Sequence, residues 1–345
     1  MSLVVLGAGS WGTTIASLVS ARTPTTLWAR SESVAAEIRD RRTNASYLGD
    51  FPLSDRLRAT SSLDDALNGA ELIVIALPSH GVRAVLSETA RAVPEGVPVL
   101  SLSKGLEQGT MARISQIVDA CWPGHPVGVL TGPNLAAEVC EGQPTASVIA
   151  FADEDLAAEI RDLFATETLR LYTNPDVTGC EIAGAVKNVL AIASGMSVGL
   201  GFGDNTRAAL ITRSLAELTR LGVAIGGEPA TFAGLAGLGD LVATCTSAKS
   251  RNFLVGVALG RGESLEDVVS RARTVAEGVK TCRPVVDLAG HLGVEVPVAE
   301  QVVAVCYENR PPSEAIPLLM RRAPRSEVED LVNLGGRIRD ERRGT

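Results

Sequence analysis

Apolar positions along the chain follow two rhythms. Through about residue 172, short aliphatic and β-branched runs alternate with helically spaced segments: LVVL, TTLWA, LIVIAL, VPVLSL, VGVLTG, ASVIA and LRLY. Near-continuous apolar strands separated by helices specify a mostly parallel sheet covered on both faces. Asn174-Pro175 ends this region, because a residue before proline is pushed out of the helical well. Beyond it, long Ala/Leu/Val/Gly segments at 179–198 and 206–222 carry helical spacing and little strand signal. The pattern predicts an α/β domain over residues 1–175 and an all-helical domain over 176–345. The Arg/Glu-rich end, residues 321–343, reads as a solvated helix and tail. No internal repeat is present.

A length of 345 residues supports about two domains. With 32 Lys+Arg against 40 Asp+Glu, the net charge of −8 argues against a nucleic-acid or anionic-membrane partner. An anionic small ligand therefore needs a local basic cluster. No consecutive apolar run approaches a membrane span, and the apolar N-terminus lacks the basic flank of a signal peptide. The expectation is a soluble, cytoplasmic protein without an integral membrane segment. Six cysteines without a C-x-x-C pair and three scattered histidines predict no metal site.

The sequence Gly7-Ala8-Gly9-Ser10-Trp11-Gly12 follows the first strand run and opens a helical pattern at 13–19. Glycines at the first, third and sixth positions permit a tight turn, backbone approach to a pyrophosphate, and close helix–strand packing. About 20 positions on, where an acid would hold ribose hydroxyls, stands Arg30. A guanidinium there pairs with a 2′-phosphate and leans the cofactor toward NADP over NAD. The competing reading is a solvent-facing charge, with Glu32 close enough to occupy it.

Lys187 lies in EIAGAVKNVLAIASGM, among apolar neighbours. A lysine is almost never fully buried without a partner, and desolvation of the ammonium would prepare it for proton transfer. The alternative is a lysine snorkelling from a core helix. Lys104, the turn at 131–134 and the turn at 77–80 follow strand runs at their carboxyl ends, where open α/β sheets bind ligands. Either turn can also be an ordinary connection. Ser250-Arg251-Asn252 precedes an apolar run at 253–259, combining an N-cap with a cation and an amide. This is either an anion socket or a plain cap. GLAGLGD at 234–240 either brings backbone to a ligand or makes a tight connection.

Taken in order, GAGSWG, LPSH, SKGLE, TGPN, EIAGAVKN, LGFGDNTRAALITRSLAEL, TFAGLAGLGDL, CTSAKSRN and TVAEGVKT resemble the bacterial-type NAD(P)-dependent glycerol-3-phosphate dehydrogenases over residues 5–285. The resemblance implies a Rossmann-like, doubly wound sheet followed by the helical domain. It implies Lys187 as proton acceptor, Lys104 at both cofactor and substrate, and Asn188 and Asp240 orienting the site, with Thr244 near Lys187. Ser250, Arg251 and Asn252 would hold substrate phosphate, and Gly132 and Asn134 would lie at the substrate. Gly7, Gly9, Ser10, Trp11, Gly12, Arg30, Ala136, Val275 and Glu277 would form the nucleotide site, touched also by Arg251.

The implied reaction interconverts dihydroxyacetone phosphate and sn-glycerol 3-phosphate by hydride transfer, supplying glycerol phosphate for phospholipids. Two other readings stay open: a nucleotide-binding sensor without turnover, and a hydroxyacid or ketopantoate reductase. A homodimer is admitted by the sequence and not specified by it.

Overall fold

The computed structural model describes residues 1–271 and 276–320. It divides into two units, Met1–Val177 and Thr178–Thr345.

The first unit is built on eight strands: β1 (Leu3–Leu6), β2 (Thr25–Trp28), β3 (Arg58–Thr60), β4 (Leu72–Ile75), β5 (Val99–Ser101), β6 (Val127–Thr131), β7 (Thr145–Ala150) and β8 (Leu169–Asn174). Their order is β3-β2-β1-β4-β5-β6-β7-β8, and only the β6–β7 pair is antiparallel. Alternate residues of the central strands feed the two faces. Leu3, Val5, Leu72 and Val74 pack in one apolar cluster, and Val4, Leu6, Ile73 and Ile75 in the other. This two-sided burial explains why these strands are uninterrupted apolar runs. Edge strand β8 instead alternates, with Leu169 and Leu171 inward and Arg170 and Tyr172 outward. The short β3 carries an exposed arginine and gave no periodic signal; pairing with β2 makes it a strand.

Every regular element among the second unit's described residues is a helix. Its centre is the Val177–Gly199 helix, buried on all sides from Gly179 through Ser197. This helix corrects the expectation about apolar length. It is long and apolar enough to cross a membrane by composition, although 89% of its most apolar window is buried inside the protein. Counting only consecutive apolar residues missed it, because glycine, serine and threonine interrupt the run without making it polar. A helix apolar all round is a core helix.

Glycines set how closely the Arg251–Gly260 helix approaches that core helix. A Cβ on Gly195 would stand 2.1 Å from the Phe253 carbonyl oxygen, and one on Gly256 would stand 2.1 Å from that of Ile192. A Cβ on Gly260 would stand 2.4 Å from the Met196 carbonyl oxygen. Backbone-to-backbone contact at these positions excludes any side chain. The GLAGLGD segment forms a wide helical turn at Leu235–Gly239, where Gly237 lies against the Phe232 backbone. Its close approach is to the chain itself, which favours the tight-connection reading.

Candidate functional site

In the first unit the glycine turn joins β1 to the Ser10–Ser20 helix. Gly7 has φ of +119°, and a Cβ there would sit 2.5 Å from the Ala76 carbonyl oxygen at the end of β4. A Cβ on Gly12 would strike the Gly7 carbonyl oxygen at 2.1 Å. Gly9 differs: nothing lies within 4 Å of where its Cβ would be. The helix that follows has no side-chain cap and no acid in its first turn. Unsatisfied N–H groups and the helix dipole then face open space, the arrangement that binds a pyrophosphate. The residues present therefore fit a dinucleotide.

Arg30 is exposed just past β2. Glu32, the acid close enough in the chain to occupy it, is instead held by Arg39 at 2.7 Å and by the Ser61 hydroxyl at 2.6 Å. Hydrogen bonding from Arg39, then from Ser61, holds its carboxyl below the usual range.

Lys104, past β5, donates to the Gly132 carbonyl at 3.1 Å and to Asn134 Oδ1 at 2.8 Å, both past β6. Three sequence candidates thus meet at the carboxyl ends of adjacent parallel strands. Asn134 Nδ2, Thr131 Oγ1 and Ser147 Oγ are buried there without a protein partner. Arg83 holds the Lys104 loop through both oxygens of Glu107 at 2.7 Å each, and Ser103 Oγ donates to the Leu77 carbonyl at 2.6 Å. The sequence reading gave no role to Arg83 or to Glu107, the last residue of SKGLE, since a pairing across 24 residues leaves no spacing signal. Ala136 opens the short Ala136–Cys140 helix nearby in the chain.

In the second unit Lys187 is 5% exposed and paired. Its Nζ donates to Asp240 Oδ1 at 2.5 Å and to Thr244 Oγ1 at 2.6 Å. The snorkelling reading fails, because the ammonium ends inside the protein on two polar partners. Asp240 and Thr244 share one face of the Asp240–Thr246 helix, four residues apart. The neighbouring Cys245 thiol is pushed up to about 12 by burial, so it stays protonated beside the pair.

Asn188, next on the core helix, accepts from Asn252 Nδ2 at 2.9 Å, and Asn252 Oδ1 accepts from the Gly278 amide at 2.9 Å. Asn252 thus spends its side chain partly on internal bonds. Ser250 caps the Arg251–Gly260 helix, its hydroxyl accepting from the Phe253 amide at 3.3 Å. Arg251 is exposed at the first helical position. Glu277 starts the Glu277–Leu292 helix. Val275 and the tail at 321–345 lie outside the described residues. The glycine spacings Gly195…Gly199 and Gly256…Gly260 were the available signal for the contact that sets the 250–252 segment beside Asn188. Among the described residues no group of three or more His, Cys, Asp or Glu could hold a metal ion.

A doubly wound sheet with strand order 3-2-1-4-5-6 at its core and an open glycine turn after β1 defines a Rossmann-type dinucleotide-binding fold, here followed by a helical domain. The N-terminal family model of NAD-dependent glycerol-3-phosphate dehydrogenase matches residues 2–157, and the C-terminal model matches 176–317. The chain belongs to the NAD-dependent glycerol-3-phosphate dehydrogenase family. It is 50% identical over 327 residues to a glycerol-3-phosphate dehydrogenase (NAD(P)+) of Mycobacterium avium, covering 94% of this chain and 96% of that one. A relative of the same name from Corynebacterium glutamicum is 46% identical over 331 residues, covering 95% and 100%. The crystal structure of glycerol-3-phosphate dehydrogenase from Coxiella burnetii superposes with a TM-score of 0.90 at 36% identity, covering 93% of this chain and 99% of that chain. A ketopantoate reductase from Ralstonia eutropha reaches 0.58 at 17% identity, over 91% and 99% of the two chains, a likeness of fold alone.

Proposed function

We propose that the protein is an NAD(P)-dependent sn-glycerol-3-phosphate dehydrogenase that interconverts dihydroxyacetone phosphate and sn-glycerol 3-phosphate. The observation that carries this reading is the buried Lys187, held by Asp240 and Thr244 in a chain of this family. When bound, the nicotinamide ring accepts or delivers the hydride at the substrate's secondary carbon. Lys187 handles the accompanying proton: as an amine it takes the hydroxyl proton during oxidation, and as an ammonium it returns one during reduction. Asp240 and Thr244 take two of its three N–H donors and leave one direction for the reacting oxygen. Ser250 and Arg251, at the start of a ten-residue helix, supply a hydroxyl, a guanidinium and the helix dipole for the substrate phosphate. Lys104, steered by Gly132 and Asn134, adds positive charge to substrate and cofactor recognition.

Arg30 favours the 2′-phosphate of NADPH, an inference supported by the engagement of Glu32 elsewhere. The cellular role that fits is reduction in the cytoplasm, supplying glycerol phosphate for phospholipids, by an enzyme that assembles as a homodimer. An inactive nucleotide sensor would not need an intact Lys187, Asp240 and Thr244, and a ketopantoate reductase would not need a phosphate-binding helix start. Initial rates with dihydroxyacetone phosphate, dihydroxyacetone and ketopantoate, each with NADPH and with NADH, test the reading. Turnover of the phosphate ester alone is the expected result. Turnover of ketopantoate without the phosphate ester would overturn it.

A further inference from the structure

The glycine turn has a partner that no motif marks. Three glycines in six residues make residues 7–12 intrinsically loose, yet a helix start binds an anion only when its N–H groups converge. The turn is tied at one end by the Gly7 amide, which donates to the Trp28 carbonyl at 3.0 Å. Its middle is tied by Asn44, which is fully buried. Asn44 Nδ2 donates to the Ala8 carbonyl at 3.0 Å and to Thr13 Oγ1 at 2.8 Å, bridging the turn to the first turn of the helix. The amide orientation follows from chemistry, because a backbone carbonyl only accepts and so must face the nitrogen.

Stability alone does not account for this arrangement. Asn44 Oδ1 is buried with no partner, a cost that an apolar side chain of similar size would avoid. The segment that carries Asn44 is itself anchored: Glu37 Oε1 accepts from the Ala45 amide at 2.7 Å and from the Thr43 hydroxyl at 3.0 Å. From the other side, Ser10 Oγ donates to the Tyr47 carbonyl at 3.0 Å. Residues 44–47 therefore grip the turn at Ala8, Ser10 and Thr13.

We propose that Asn44 is a positioning residue for nucleotide binding, holding the glycine turn in its anion-accepting shape before the nucleotide arrives. This rests on the reading of residues 7–12 as the nucleotide turn. The Ala8 and Thr13 bonds restrict the part of the turn common to both nucleotides, so the effect falls on NADPH and NADH alike.

The test measures dissociation constants of NADPH and NADH by equilibrium dialysis for the full-length parent, Asn44→Ala and Asn44→Asp, with thermal midpoints recorded without nucleotide. For Asn44→Ala both constants should rise about tenfold, the scale of one lost hydrogen bond. Turnover at saturating nucleotide and KM for dihydroxyacetone phosphate should stay within about twofold of the parent, since the turn is then filled by mass action. Asn44→Asp cannot donate to the Ala8 carbonyl and should bind no better than the alanine variant. Should Asn44→Ala fail to fold, Asn44→Ser retains one donor and should bind nucleotide with intermediate affinity. Parent-like nucleotide affinity in a folded variant overturns the proposal, as does a loss of turnover at saturation as large as the loss of affinity. A parent that binds neither nucleotide would overturn the functional reading itself, and this inference with it.

Discussion

The glycine turn and the lysine helix solve opposite problems with the same residue. Around residues 7–12 glycine opens the surface: Gly9 has nothing within 4 Å of its missing side chain, and the helix start beside it is uncapped. Around Lys187 glycine closes the interior: Gly195 and Gly256 bring two helices into backbone contact and seat residues 250–252 beside the core helix. One region offers backbone N–H groups, whose placement is local. The other offers a side chain that works only because Asp240 and Thr244, more than fifty residues away, reach it. Backbone chemistry tolerates exposure, whereas a buried charge needs partners brought from afar.

The hardest test of this contrast is Lys187→Met. Loss of general acid–base catalysis should lower turnover by about 10²–10⁴-fold, measured as steady-state reduction of dihydroxyacetone phosphate. Because Asp240 would lose its buried ion pair with Lys187, the single variant should also lose roughly 3–5 kcal/mol of stability. Adding Asp240→Asn should restore much of the thermal midpoint and none of the turnover. Wild-type turnover in a folded Lys187→Met protein would end its assignment as the proton carrier.

Identical substitutions at the two kinds of glycine sharpen the comparison. Alanine in a helix interior normally gains up to about 1 kcal/mol over glycine. At Gly256 the new Cβ meets the Ile192 carbonyl oxygen at 2.1 Å, so Gly256→Ala should instead cost about 1–3 kcal/mol. Gly9→Ala meets only open space and should leave the unfolding midpoint nearly unchanged while weakening nucleotide affinity. Equal stability losses in calorimetry would erase the distinction.

The helical unit also stores a titrating group. Glu217 is buried and accepts from the Val298 and Ala299 amides at 2.8 and 2.9 Å, capping the Pro297–Tyr307 helix from another element. Burial pushes its carboxyl up to about 7, against the lowering effect of those two bonds. A folded pKa above the unfolded value of 4.5 means that the folded state binds the extra proton. Stability is then highest below about 4.5 and is lost as pH rises toward about 7, by about 3 kcal/mol in all. Thermal midpoints from pH 5 to 8 should fall in the parent and flatten in Glu217→Gln. A parent slope retained by the variant would assign it to another group.

The smallest expected effect lies at Arg30, at the edge of the proposed nucleotide site. Arg30→Ala should raise KM for NADPH about tenfold, equivalent to about 1.4 kcal/mol, and leave KM for NADH unchanged. An unaltered ratio would remove Arg30 from cofactor choice.

The sequence alone determined what is locally encoded. Aliphatic and β-branched runs marked seven of the eight strands, uninterrupted at the centre where both faces are buried and alternating at the β8 edge, and glycine spacing marked the turn at 7–12 because the φ of Gly7 and the close contacts of Gly7 and Gly12 admit no side chain. The cap at Ser250 was legible for the same reason, since a cap satisfies N–H groups only a few residues away. Tertiary structure decided the rest. Three-residue β3 became a strand only by pairing with β2, and the Val177–Gly199 helix became a core helix only when others packed around it. Asn44, Arg83, Glu107 and Glu217 acquired their partners from distant segments. A hydrogen bond or ion pair between residues far apart in the chain leaves no periodicity behind, because folding, not spacing, brings its two ends within 3 Å.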